Sequence, residues 1–214
     1  KPRSTRMLSC FATSECQTSG RARYLEAGRY WLQWAGAPTE VYRYSNGFND
    51  YMDDYVSRGI WVNWVNQGSV NVPNKSGLGI PIDLALGFHS DAGCKKDTIV
   101  GTLGIYTTQL TNEDTKLIFP NGQSRYASRD LTDLVAMSIV NDMRKLYDPN
   151  WSFRGLWNKS YAESRRPEVP TMLLELLSHQ NFTDMQFGLD PRFQFSVCRS
   201  IYKGILRFLS VQNG

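Results

Sequence analysis

Two side chains hold most of the chemistry this sequence can offer, His89 and Glu175. His89 follows a nearly unbroken apolar run, residues 80–88 (IPIDLALGF), and opens a small polar stretch, His-Ser-Asp-Ala-Gly. Glu175 lies inside TMLLELL, residues 171–177. A carboxylate among apolar neighbours costs several kcal/mol when unpaired, so it must be neutral, ion-paired or held near a cation. A Glu with a pKa raised by such surroundings is what a general base needs to activate water. The plainer alternatives are a hydrogen-bonded structural histidine and a Glu175 paired with Arg154, Arg165 or Arg166.

The surrounding pattern must place these two groups. Apolar residues recur at helical spacing over 24–35, and Gly36 then stops the helix. EVYRY, residues 40–44, alternates and predicts a short strand, and Asn46-Gly47 marks a turn. Residues 50–66 predict a second helix. The run 80–88 reads as a strand buried on both faces, ending at His89. Further strands are expected over 99–107 and 171–177, with helices over 128–147 and 193–211. Strands that alternate with helices predict an α/β fold: a three-layer, open, mostly parallel sheet with helices on both faces. In such sheets ligands gather beyond the carboxyl ends of strands, which is where both candidates are expected.

Composition narrows the class. Of the 214 residues, 41% are hydrophobic and 21% charged, which supports a packed core in one domain. We expect a loose arm over residues 1–20 and one domain over 21–214. A net charge of +4, without a basic run, argues against nucleic acid as a partner. No stretch of 18 apolar residues predicts a membrane span. The opening Lys-Pro-Arg, with no apolar stretch behind it, reads as a mature or trimmed terminus. Cys10, Cys16, Cys94 and Cys198 lack the paired spacing of a zinc knuckle, and their pairing stays open. Asp53-Asp54 lacks the oxygen ladder of a calcium loop.

The order of these segments carries a resemblance. PIDLALGFHSDAG, residues 81–93, resembles the motif of zinc-dependent N-acetylmuramoyl-L-alanine amidases in which a buried strand runs into His, a small residue, Asn and Ala. EVPTMLLELLSHQNFTD, residues 168–184, resembles that family's second signature, with a Pro, an apolar strand, the catalytic Glu and then a Ser-Asn pair. The likeness covers residues 20–212 and extends to bacterial xanthan-lyase-like surface proteins, which join this domain to a golvesin-like module; RYLEAGRYWLQWAG reads like one of their stretches. It implies that Glu175 is the catalytic residue, that His89 and Glu26 are zinc ligands, and that Asp91 and Asn181 line the substrate site. Asp91 stands where the family usually has Asn, and the family's first His, in a Gly-His-Gly loop, has no counterpart here. The resemblance therefore implies a C-terminal portion whose site is completed by an upstream region of the same protein.

The activity implied by the resemblance is cleavage of the bond between muramic acid and L-alanine in peptidoglycan or a glycopeptide, by a secreted, periplasmic or surface protein. Two rivals remain. One is a catalytically incomplete amidase-fold module that binds glycan or peptidoglycan on aromatics such as Trp61, Trp64, Trp151 and Trp157. The other is a cysteine hydrolase built on His89 and Cys94, and loss of activity on thiol alkylation would reveal it.

Overall fold

The computed structural model describes residues 27–93, 98–108 and 117–212. Seven helices and four strands follow one another in these segments. They are α1 (Gly28–Trp34), α2 (Thr39–Tyr42), α3 (Asp50–Asn66), β1 (Ala85–Asp91), β2 (Thr102–Tyr106), α4 (Tyr126–Leu146), β3 (Phe153–Asn158), α5 (Ala162–Arg165), β4 (Thr171–Ser178), α6 (Phe182–Gly188) and α7 (Pro191–Gln212). The strands form one sheet in the order β1-β4-β2-β3. β1 and β4 run parallel, as do β2 and β3, and β2 meets β4 antiparallel. The sheet is thus mixed but mostly parallel, the α/β architecture expected from the alternating pattern.

The main core fills one face of this sheet. Leu131, Val135, Ile139 and Met143 of α4 pack with Phe193, Val197 and Phe208 of α7 onto Met172, Leu174 and Leu176 of β4. Each such side chain contributes roughly 1.5–3 kcal/mol of burial. A Cβ added at Gly204 of α7 would lie 2.6 Å from the Val135 Cα, so glycine is what lets these two helices close. Trp151, fully buried, donates from its indole nitrogen to Thr102 Oγ1 at 2.9 Å. It belongs to the core and not to a ligand groove. On the other face, Leu103 and Ile105 of β2 make a small cluster with Leu173 of β4.

Several expectations need correction. Residues 40–44 do not form a strand: Pro38 (φ −57°) leads into the helical turn α2, of which only Val41 is buried. Proline fixes φ near the helical value and needs no hydrogen-bond acceptor at the start of a helix. Residues 80–84 do not join the sheet either. Leu78, Gly79 and Ile80 donate their N–H groups to the carbonyls of Trp64, Gln67 and Val65, and Ile82 donates to Asn66 Oδ1, so the end of α3 holds this backbone. β1 starts later and runs through His89 to Asp91, so His89 lies within a strand rather than after it. β1 is also an edge strand among the described residues, with only Gly87 fully buried, whereas β4 is central and buried along nearly its whole length. β3, α5 and α6 carry no pattern that marked them in the sequence.

Past β4 the chain is tied down by one carboxylate. Asp184, fully buried, accepts the N–H groups of Ser178 (2.8 Å), Val100 (2.9 Å) and Gly101 (3.1 Å). A buried carboxylate with three backbone donors is a strong joint, and its removal strands all three. We expect Asp184→Ala to destabilise the protein by about 3 kcal/mol in urea unfolding. A loss below about 1 kcal/mol would show that this carboxylate is not the joint.

Candidate functional site

The parallel register of β1 on β4 sets His89 directly opposite Glu175. Neighbouring strands lie about 4.8 Å apart, and register partners project to the same face. On the other side of β4, Leu103 of β2 is the register partner of Glu175 and is 1% exposed. The carboxyl group therefore stands between an imidazole and an aliphatic wall. Its Oε2 is buried and has no hydrogen-bond partner among the described residues. None of the three candidate arginines neutralises that oxygen. Arg154 donates to Asp91 Oδ2 at 2.6 Å, Arg165 to Ser160 Oγ at 3.3 Å, and Arg166 lies 4.4 Å over the Tyr44 ring.

The electrostatics reflect this placement. Desolvation pushes the Glu175 pKa up to about 7; the charge of His89 opposes the rise, and Asp91 reinforces it. His89 is itself shifted up, because Glu163 Oε2 accepts from its Nε2 at 2.9 Å and this outweighs desolvation. Burial alone would raise Glu163, but His89 and Arg58 together hold it below the ordinary carboxylate range. Arg58 reaches Glu163 at 3.3 Å with one nitrogen and Asp54 at 2.8 Å with the other. The site thus contains a carboxyl that exchanges its proton near neutrality beside an imidazole held by a second carboxylate.

Glu163 and Arg58 were not marked by the sequence. Glu163 lies in SYAESRR, a polar stretch without period, and 74 residues separate it from His89. Only the fold brings them together. Asp91, after an irregularity in the β1–β4 register, carries the ion pair to Arg154. Asn181 is 3% exposed and caps α6, accepting from the Asp184 N–H at 2.9 Å, while its Nδ2 donates to the Thr98 carbonyl at 3.0 Å. His179 meets Ser90 through Nδ1, at 3.1 Å from Oγ. Glu26, Cys10, Cys16, Cys94 and the arm over 1–20 lie outside the described residues. Cys198 is an exposed free thiol on α7.

An open apolar cavity of about 750 Å³ runs along the β1 edge, between that strand, α1 and α3. Trp31, Trp61, Val62 and Leu86 line it, with Arg58 and Glu163 at its polar end. Among the described residues no three His, Cys, Asp or Glu side chains gather as a metal-binding group. These residues do not by themselves make a zinc site; Nε2 of His89 is engaged by Glu163, and among the described residues nothing is bonded to its Nδ1. Among the described residues no helix is long and apolar enough to cross a membrane.

No family model matches the chain, and no curated protein matches it. Solved structures do. The chain superposes on the CwlD amidase of Clostridioides difficile, solved in complex with the GerS lipoprotein, with a TM-score of 0.51 at 14% identity. That match covers 76% of this chain and 64% of the amidase chain, so it spans less than two thirds of that enzyme. An N-acetylmuramoyl-L-alanine amidase from Clostridium difficile matches over 78% of this chain and 87% of its own, at 17% identity and a TM-score of 0.43. The CwlV catalytic domain of Bacillus (Paenibacillus) polymyxa matches over 80% and 90%, at 15% identity and 0.43. At 14% identity the likeness to the CwlD amidase establishes a shared α/β fold.

The raised pKa of Glu175 has a direct consequence. Its folded-state pKa lies above its unfolded value of 4.5, so its contribution to stability is fully present below pH 4.5 and is lost as pH rises through about 7. Urea unfolding at pH 5 and pH 8 should show Glu175→Gln gaining stability relative to the wild type as pH rises. A difference that does not vary with pH would mean that Glu175 titrates as an ordinary surface carboxyl.

Proposed function

We propose that this chain is an amide hydrolase of the N-acetylmuramoyl-L-alanine amidase type, acting on the bond between muramic acid and L-alanine in peptidoglycan outside the cytoplasm. One observation carries the reading: the unpartnered, desolvated Glu175 carboxyl in register with His89, on a fold shared with a bacterial cell-wall amidase. The closeness to xanthan-lyase-like proteins belongs to the same proposal.

Glu175 is the base in this reading. Its Oε2 takes a proton from water as the water oxygen forms a bond to the lactyl carbonyl carbon. The same oxygen returns that proton to the alanine nitrogen as the C–N bond breaks, leaving a muramic carboxylic acid and a free amine, which settle as carboxylate and ammonium when the acid's proton passes to the amine. A carboxyl with a pKa near 7 suits both transfers, since it is ionised often enough to accept and acidic enough to donate. Arg154, held by Asp91, contributes a positive charge beside the oxygens of the substrate. Asn181, capping α6, keeps the chain after β4 in place.

Zinc, when bound, would supply a water of lowered pKa and polarise the carbonyl. His89 would hold it through Nδ1, with Glu26 and a further ligand from the upstream region. β1 is the edge strand on the His89 side, which is where an added segment would reach this site. The second reading is a module that binds glycan or peptide without cleaving it. The exposed Trp31 and Trp61 along the β1 cavity favour it.

Muropeptide hydrolysis followed by mass spectrometry separates these readings. The wild type, joined to its upstream region, should release free peptides from muramoyl-peptides. Glu175→Gln should lower the rate about 10²–10⁴-fold at neutral pH. Binding with no cleavage by the wild type would establish the second reading, and full activity in Glu175→Gln would remove Glu175 from the reaction. In the same joined protein, His89→Ala should lose most of its bound zinc by elemental analysis, and an unchanged zinc content would free His89 from that role.

A further inference from the structure

We propose that Glu163 is the positioning residue of the site: it fixes the His89 ring by holding the Nε2 proton, so that Nδ1 is the nitrogen presented to the reaction, and Arg58 holds Glu163 in turn. The geometric basis is continuous. Glu163 Oε2 is 2.9 Å from His89 Nε2, and the same oxygen is 3.3 Å from Arg58. Arg58 also binds Asp54, whose other oxygen accepts the Arg29 backbone N–H at 3.1 Å. The Arg29 guanidinium, buried, meets Asp50 at 2.9 Å and the fully buried Asp53 at 3.0 Å. A chain of alternating charges therefore runs from Asp54 of α3 through Arg58 to Glu163 of α5 and ends on the imidazole, and the backbone of Arg29 ties its first member to α1.

Two glycines make this contact sterically possible. Gly59 lets α3 press on α5: a Cβ there would meet Arg166 Cβ at 2.8 Å and the Ala162 carbonyl at 3.2 Å. Gly87 on β1 leaves room for Glu163 itself, since a Cβ would meet Glu163 Oε1 at 3.2 Å. Gly59 thus brings α5 close to α3, and Gly87 keeps the strand clear of the carboxylate that α5 carries. A ring nitrogen that donates to a fixed carboxylate sets the tautomer, and the lone pair is then on the other nitrogen. The catalytic consequence rests on the amidase reading; the geometry of the ring does not.

The test uses the protein with ¹⁵N-labelled histidine, which contains only His89 and His179. In mildly alkaline buffer the wild-type His89 ring should show one locked tautomer, protonated at Nε2. In Glu163→Ala that pattern should collapse to an average of the two tautomers, with the His179 signals unchanged. Arg58→Ala should retain the tautomer but broaden it. A wild-type His89 ring that already averages, or one that is unaltered in a folded Glu163→Ala, would overturn the proposal. The wild-type spectrum decides alone if the variant fails to fold. With muropeptide as substrate, Glu163→Ala should lower kcat about 10–100-fold with KM unchanged. A wild type without amidase activity would end the amidase reading and leave the ring measurement intact.

Discussion

The pairing of β1 with β4 is the constraint that creates the site. Parallel strands have evenly spaced ladders, and side chains alternate with a period of two, so a slip by one residue would turn every side chain to the other face. In the observed register Gly87, His89 and Glu175 share the face toward α5, while Leu174 and Leu176 reach the core under α4 and α7. Burial of the apolar set therefore selects the register that also brings imidazole and carboxylate together. The hydrophobic effect is indifferent to the chemistry of these two groups, yet it fixes the register that makes them neighbours.

The two faces of the sheet divide the work. One is apolar, with aliphatic and aromatic side chains closed by α4 and α7 around Gly204. The other carries charges beside the small Leu103, Ile105 and Leu173 cluster: α3 supplies Asp53, Asp54 and Arg58, and α5 adds Glu163. Charged groups on a buried face need partners, since each one left alone costs more than its packing returns. Here Asp54, Arg58 and Glu163 pair in turn, and the last partner in the chain is His89. Glu175 Oε2 is a buried oxygen that nothing in the described structure satisfies, a condition it shares with Glu168 Oε2 and with single nitrogens of Arg29, Arg154 and Arg166. What sets Glu175 apart is its place opposite His89, where a substrate, a water or a cation has something to gain.

Much of this was legible in the sequence, for a physical reason. TMLLELL is an apolar run broken by one acid, and such a break is expensive enough to be noticed. The helices over 50–66 and 193–211 announce themselves by period, and the structure places α3 and α7 within two residues of those bounds. Glu163 could not be read in the same way. It sits in a one-turn helix among polar neighbours, where a carboxylate is the ordinary occupant. Its meaning comes from a contact across 74 residues of chain. The EVYRY segment misled because alternation over five residues fits a helical turn with one buried side chain equally well. The early end assigned to the histidine strand had a related cause: polar residues at an edge strand look like a loop.

The shared site requires that the His89 ring and the Glu175 side chain, register partners on neighbouring strands, are close neighbours in solution. Nuclear Overhauser spectra of the wild-type protein probe that contact without any variant or substrate. Cross-peaks are expected between the His89 ring protons and the Glu175 side-chain methylenes, together with strand contacts between their Cα protons and neighbouring amides. A well-dispersed spectrum in which His89 shows contacts to other residues and none to Glu175 would refute the shared site.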